Sequence, residues 1–297
     1  MPEPREDYRV AHDAVATVTE LLQRVRGAHP TAGLYEAADL QWWWRMPRPT
    51  DDLPQLFWFG PDGRPEAAAI VTAWTTRTTL DLLMLPDATD AMVRQVVDRG
   101  LAHAAALGFT DVTIEADGDN SQILGLLAEH GFTATEVSVV EAWMDAADRP
   151  AVSPLHAGYH LTSREGRPAR PHHMIPRSGP DVEERLRQTS LYRADLDLAV
   201  IDDATGDTAA YGLFWYDPTS ATGLVEPMRT NDAHQRRGLA RHVLTAGVDL
   251  LARAGAARIK ICYEPDNPAS GHLYRDVGFR PCRTTVTVSR PATSPAE

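Results

Sequence analysis

The sequence predicts an α/β protein built from two tandem copies of one domain, each a mixed, mostly antiparallel sheet flanked by helices. Three observations predict it. The chain has 297 residues, which suits two domains of roughly 150 residues each. Asp119, Asn120, Leu126, Gly131 and Phe132 recur as Asp266, Asn267, Leu273, Gly278 and Phe279, and Gly108, Val112 and Ile114 recur as Gly255, Ile259 and Ile261, always 147 residues apart. A fixed period this long, kept without a gap across strand, helix and turn, marks a duplicated unit. In each copy, hairpin-like strands come first and strands joined through helices follow, the order of a mixed sheet.

The elements of the second copy follow from pattern and punctuation. Leu198–Ile201 reads as a strand, Asp202–Asp207 as turn chemistry and Ala209–Trp215 as the returning strand. A second turn, Asp217–Ser220, leads into a strand from Thr222 to Thr230. Leu239, Val243, Leu244, Val248 and Leu251 mark the apolar face of a helix closed by Gly255. Arg258–Cys262 is a short strand, 268–276 a helix and Phe279–Ser289 a final strand. The first copy matches: a hairpin of Leu56–Phe59 and Ala67–Trp74, a strand Thr78–Leu85, a helix Ala91–Leu107, a strand Val112–Ile114 and a helix Ser121–Glu129. The expected domains are 1–147 and 155–290, with a proline-containing linker at 148–154 and a loose tail at 291–297.

Composition narrows the class. The net charge of −12 argues against general nucleic-acid binding, which needs a basic face. It suits solubility, or steering of a cationic substrate. No apolar run reaches the roughly 18–20 residues that cross a bilayer, and Met1–Asp7 lacks a signal-peptide pattern. Cys262 and Cys282 are too few for a disulfide framework. The expectation is a cytoplasmic protein, monomer or homodimer, with no membrane or nucleic-acid partner.

Chemistry concentrates in Gln235-Arg236-Arg237-Gly238-Leu239-Ala240, after a strand and opening a helix. Free amides at a helix N-terminus attract phosphate. Small residues at 238 and 240 let it approach the backbone closely, and Arg236, Arg237 and Arg241 add counter-charge. With the strand Leu224–Thr230 before it and Asn267, Leu273-Tyr274 and Gly278-Phe279 after it, this loop resembles the Gln/Arg-x-x-Gly-x-Gly/Ala signature of the GNAT superfamily of acyl-CoA-dependent N-acyltransferases. The likeness is good over 155–290 and weak over the first copy.

The resemblance implies acetyl-CoA (or another short acyl-CoA) as co-substrate and a small-molecule amine as acceptor. It implies pyrophosphate on the amides of 236–241, and a pantetheine arm along Met228 and Thr230, flanked by Asn267 and Ser270. Tyr274 stands where the family places a general acid. Glu226, beside the pairing-disturbing Pro227, is the leading base, with a strand-end Glu that merely binds substrate as the plainer reading. His234 and Asp232 rank as loop residues.

Acceptor candidates are His173, Arg177 and Tyr192 from the segment before the core strands, and Trp215 on a neighbouring strand. Adjacent His172 and His173 invite a metal, but no third ligand stands at useful spacing, so none is expected. Cys262 reads as a small buried residue. Trp42-Trp43-Trp44-Arg45 cannot place all three indoles on one helix face, which suggests domain packing or a wall for a bulky substrate.

In the first copy Thr79, Ala88, Ala91 and Leu127 stand where the second has Glu226, Gln235, Gly238 and Tyr274, and Asp87 and Asp90 would repel phosphate. That copy is expected to be silent, a scaffold or a lid. Tandem members of the family carry the active site in the second half. The acceptor stays open between a plain amine, a cysteinyl pseudo-sugar and an antibiotic, and a non-catalytic acyl-CoA-binding protein is the rival of another class.

Overall fold

The computed structural model describes residues 4–290, so the expected tail at 291–297 lies outside the described residues. Along the chain come β1 (Arg5–Arg9), α1 (Ala11–Ala28), α2 (Ala37–Trp43), β2 (Gln55–Phe59), β3 (Pro65–Ala73), β4 (Thr78–Met84), α3 (Asp90–Ala106), β5 (Thr113–Asp117), α4 (Ser121–Glu129) and β6 (Thr133–Asp145). The second half holds β7 (Tyr159–Ser163), α5 (Ile175–Ser178), α6 (Val182–Arg187), β8 (Asp197–Asp202), β9 (Thr208–Asp217), β10 (Thr222–Thr230), α7 (Leu239–Ala254), β11 (Arg258–Tyr263), α8 (Pro268–Val277) and β12 (Arg280–Ser289). Both copies are mixed sheets flanked by helices, as the sequence predicts. β1, α1, α2, β6 and β7 had not been read from the sequence, and 164–180 folds as turns around the short α5.

Two compact units form, and they do not follow the chain in order. The first contains residues up to Ala37, Pro47–Val139 and Arg283 onward; the second contains Ala38–Met46 and Val140–Cys282. This differs from the expected cuts at 147 and 155. The reason is an exchange of strands. β12 closes the first unit's sheet, ordered β1-β2-β3-β4-β5-β12, and the end of β6 closes the second, ordered β6-β11-β10-β9-β8-β7. The register is Thr285↔Asp117 to Ser289↔Thr113 in one unit and Val140↔Tyr263 to Asp145↔Arg258 in the other.

Each unit has its own core. In the first, Leu56, Trp58, Leu80, Val96, Val97, Ile114, Leu127 and Phe132 pack together under α3. In the second, Phe214, Val243, Leu244, Val248, Leu251, Ile259, Ile261 and Phe279 do so under α7. Gly247 lets α7 lie flat on β9, since a Cβ there would stand 2.1 Å from the Phe214 ring.

Two buried carboxylates carry testable consequences. Glu141, on the exchanged end of β6, holds the Lys260 ammonium at 3.0 Å, both side chains no more than 2% exposed. Its other oxygen accepts from Trp143 Nε1 at 2.7 Å. Glu141→Gln removes the carboxylate that holds the buried Lys260 ammonium, so we expect a loss of about 3–5 kcal/mol of stability, read by urea denaturation.

In the first unit Asp81 accepts from Tyr35 Oη at 2.9 Å and Thr79 Oγ1 at 3.3 Å. Burial pushes its carboxyl up to about 7, against the pull of those hydrogen bonds. The folded protein then holds a proton that the unfolded chain, titrating near 3.8, has released. Stability from this group is full below the unfolded value and is lost as pH rises towards 7. Asp81→Asn is expected to remove a slope of up to about 1.4 kcal/mol per pH unit from the stability profile in that window. An unchanged slope would place the titration elsewhere.

Candidate active site

The second unit's sheet opens in the middle. β10 pairs in parallel with β11 only from Thr222↔Arg258 to Val225↔Ile261. Its register against β9 then shifts between Val225 and Met228, where Glu226 and Pro227 stand. Pro227 has no N–H to give a ladder. Beyond it Met228, Arg229 and Thr230 pair with β9 alone, so their other edge is free of β11. Thr230 Oγ1 is buried there without a partner. An open strand edge and an orphaned hydroxyl suit the amide-rich arm of coenzyme A.

The loop before α7 suits its phosphates. Arg236 (φ 61°) and Gly238 (φ 74°) are both left-handed, which turns successive amides outward into an anion-binding concavity. Gly238 is the N-cap of α7 and offers no side chain to it, so the first-turn amides stay available. Of the expected counter-charges, Arg237 turns back onto Tyr159 Oη and Ala233 O, and Arg241 pairs with Asp276 at 3.0 Å. Arg236 is the loop arginine with neither a side-chain hydrogen bond nor an ion pair among the described residues. Gln235 donates to Asp232 at 3.1 Å, and His234 meets Tyr159 Oη at 3.0 Å, both inside the loop. The corresponding α3 of the first unit is capped by Thr89, which accepts from Met92 N at 3.3 Å, with Asp90 in its first turn. A carboxylate and a cap there already hold what phosphate would need.

Tyr274 on α8 packs between Tyr263 and Phe279, with ring centroids 5.9 and 6.4 Å away. Burial pushes its phenol up to about 12, with a Ser270 hydrogen bond opposing and the Glu226 charge adding. It is a proton-bearing phenol at neutral pH. Burial likewise raises Glu226, while Arg45 and a hydrogen bond from Trp42 pull it back. Asn267 caps α8 through Ser270 N at 3.3 Å, and Asn120 caps α4 through Ile123 N at 3.1 Å. The repeated Asn is thus a requirement of the fold in both copies. Burial raises the Cys262 thiol, so it holds its proton.

The tryptophan run belongs to this unit. Trp44 Nε1 donates to Gln188 at 2.9 Å, Gln41 donates to Ser190 Oγ at 2.8 Å, and Leu191 N donates to Gln41 at 2.8 Å. These bonds carry Arg45 to Glu226. The guanidinium lies 3.7 Å from the Trp42 ring centroid and donates to Trp42 O at 3.0 Å, while its Nε is buried without a partner. Burial lowers it to about 10, against the charge of Glu226.

Of the other acceptor candidates, His173 stacks near Tyr211 at 4.8 Å and Arg177 is exposed beside them. Trp215 is fully buried and donates to Glu226 O at 2.8 Å, and Tyr192 donates to Asp197 at 3.0 Å. Those two hold the site from behind.

Asp197, from β8, also supplies the third group that local spacing around the histidines does not reveal. Burial would raise it, but hydrogen bonds from His172 and His173 hold it well below the usual carboxylate range. The set does not fit a metal. His172 Nδ1 accepts from Met174 N at 3.2 Å, so Nε2 carries the hydrogen it gives Asp197 at 2.9 Å and has no lone pair to coordinate. Arg45, Trp42, Tyr211 and Asp197 escaped the sequence reading as site residues; the Trp42–Arg45 run was the one available signal.

Residues 157–279 match the model of the acetyltransferase (GNAT) family. A mycothiol acetyltransferase of Clavibacter michiganensis subsp. michiganensis is 27% identical over 94% of this chain and 92% of its own. One of Clavibacter sepedonicus is 28% identical over 97% and 98%. A solved tandem GNAT protein from the clavulanic acid biosynthesis pathway shares the fold at 17% identity, with a TM-score of 0.68, covering 99% of this chain and all of that one. The non-catalytic reading gives way: the chain is an acyltransferase, and its residues 157–279 carry the match to the GNAT acetyltransferase family.

Proposed function

We propose that the protein transfers an acetyl, or another short acyl, group from acyl-CoA to the primary amine of a small molecule, by direct attack in a ternary complex. One observation carries this reading: β10 parts from β11 after Val225 and Ile261, with Glu226 at the break and Tyr274 of α8 packed on Tyr263 at the end of β11. Glu226 takes a proton from the ammonium, directly or through one water, and frees the amine lone pair. The amine nitrogen forms its bond to the thioester carbonyl carbon, the carbon–sulfur bond breaks, and Tyr274 gives its proton to the leaving thiolate and regains one from the nitrogen, which sheds its extra proton as it becomes the amide. Amides at the opened strand favour the developing oxyanion. The likeness to mycothiol acetyltransferases over both halves favours a second acceptor, a cysteinyl pseudo-sugar. Among the described residues no helix is long and apolar enough to cross a membrane, which agrees with the cytoplasmic location we propose.

Tyr274→Phe is expected to lower turnover by roughly one to two orders of magnitude while leaving the KM for acetyl-CoA in place, as read by thiol release. Because Glu226 must be ionised to accept a proton and burial raises its pKa above 4.5, kcat/KM should rise with pH along a limb above the ordinary glutamate range. Glu226→Gln should abolish that limb. A limb that persists in this variant would remove Glu226 as the base.

A further inference from the structure

Arginines in the second unit commonly meet a carboxylate: Arg149 pairs with Asp249 at 3.0 Å, Arg164 with Glu183 at 2.7 Å and Arg193 with Asp195 at 2.6 Å. Arg45, Arg177 and Arg229 have no ion pair among the described residues. These three converge. Arg229 stands directly opposite Tyr211 in the β9–β10 register. Arg177 follows His173, whose ring packs on Tyr211, by one turn of chain. Arg45, stacked on Trp42, lies within electrostatic range of Glu226 and Tyr211, as do Arg177 and Arg229 of Tyr211.

A chain of net charge −12 thus keeps three arginines without an ion pair around one buried tyrosine, near the carboxylates of Glu226 and of Asp197, the latter already held by His172, His173 and Tyr192. For the half-buried Arg45 and Arg229 an unpaired guanidinium is costly to hold unless something anionic visits it, while Arg177 stands exposed at the rim. The buried, partnerless Nε of Arg45 is the clearest sign of that vacancy in its bonding.

The geometry points to an acceptor that carries an anionic group, carboxylate or phosphate, beside its primary amine: Arg45, Arg177 and Arg229 bind the anion around Tyr211 while Glu226 faces the ammonium. This rests on the amine-acetylation reading above and narrows its substrate class. A guanidinium matches the two oxygens of a carboxylate or phosphate in a fork, and Glu226 a short distance away fits the opposite charge of a zwitterion. A cysteinyl glycoside offers the ammonium but no anion, so it would leave the three arginines without a partner.

The test pairs binding with turnover. Protein saturated with coenzyme A is titrated calorimetrically with alanine, glutamate and phosphoethanolamine, and with alaninamide. Thiol release from acetyl-CoA is then followed with the same amines, spermidine and a cysteinyl glycoside. Anionic amines should exceed alaninamide at least tenfold in kcat/KM, the amino acids and phosphoethanolamine telling carboxylate from phosphate. Arg45→Gln and Arg229→Gln should each cut that preference about tenfold to a hundredfold with the KM for acetyl-CoA unmoved. Arg177→Gln, at an exposed position, provides the same reading should Arg45→Gln fail to fold.

Anion binding without thiol release would keep the anion site and overturn the acetyl-transfer reading. Release with amide, spermidine or glycoside equal to or better than with the anionic amines would keep the transfer and overturn the anion site. So would a preference that survives all three substitutions, or a failure of every anionic amine to bind.

Discussion

Everything in the second unit turns on β10 letting go of β11 after Val225 and Ile261. A central strand that loses its neighbour exposes amides and carbonyls that must be satisfied by something else. The break falls at Pro227, which cannot donate, and the strand keeps its other partner, β9, through Thr230. The first unit makes the same opening: β4 meets β5 only at Thr79↔Thr113. A cavity of about 340 Å³ lies there between Leu82–Pro86 and Ile114–Asp117. The opening is therefore a property of the fold, present in both copies. What the copies do with it differs. Thr79 spends its hydroxyl between Trp74 Nε1 and Asp81, whereas Glu226 at the same place in the repeat keeps its carboxyl for the site.

Electrostatic balance then decides what the opening can do. Lys260 would be the natural partner for Glu226, since each acts on the other's surroundings. Glu141 takes Lys260 instead, at 3.0 Å. Glu226 is left with Arg45, a weaker hold, because that guanidinium already stacks on Trp42 and bonds its carbonyl. The carboxyl stays raised above the ordinary glutamate value by burial, which a tight ion pair would prevent. Tyr274 is kept neutral by the same burial.

The core strands of each copy, the helices α3 and α7 and the Gln/Arg/Gly loop are legible because each has a local signature. The strand expected from about Thr222 to Thr230 is β10, and Gly255, expected to close the helix, is its left-handed C-cap. The repeat also separated Asn267, a cap shared with Asn120, from Tyr274, which faces Leu127. β6 was missed because Thr133–Asp145 gives half its length to each unit, so no single amphipathic pattern runs through it. Asp197 was missed as a site residue because its partners, His172 and His173, lie 25 residues away on a stretch rich in proline. Arg45 was missed because its role depends on which unit its segment folds into.

That last point changes what the first copy is for. A silent copy would be dispensable if the units followed the chain, with the active one at 155–290. The second unit instead contains Ala38–Met46 and the end of β6 from Val140. Without the first segment, Glu226 loses both Arg45 and the Trp42 hydrogen bond, and Gln188 and Ser190 lose the partners that fix them. Without the second, the buried Lys260 loses the carboxylate 3.0 Å from it and β11 becomes an edge strand. A first copy without the Gln/Arg/Gly loop is therefore retained by what it lends: one strand to complete a sheet, and one short segment that sets the charge beside Glu226.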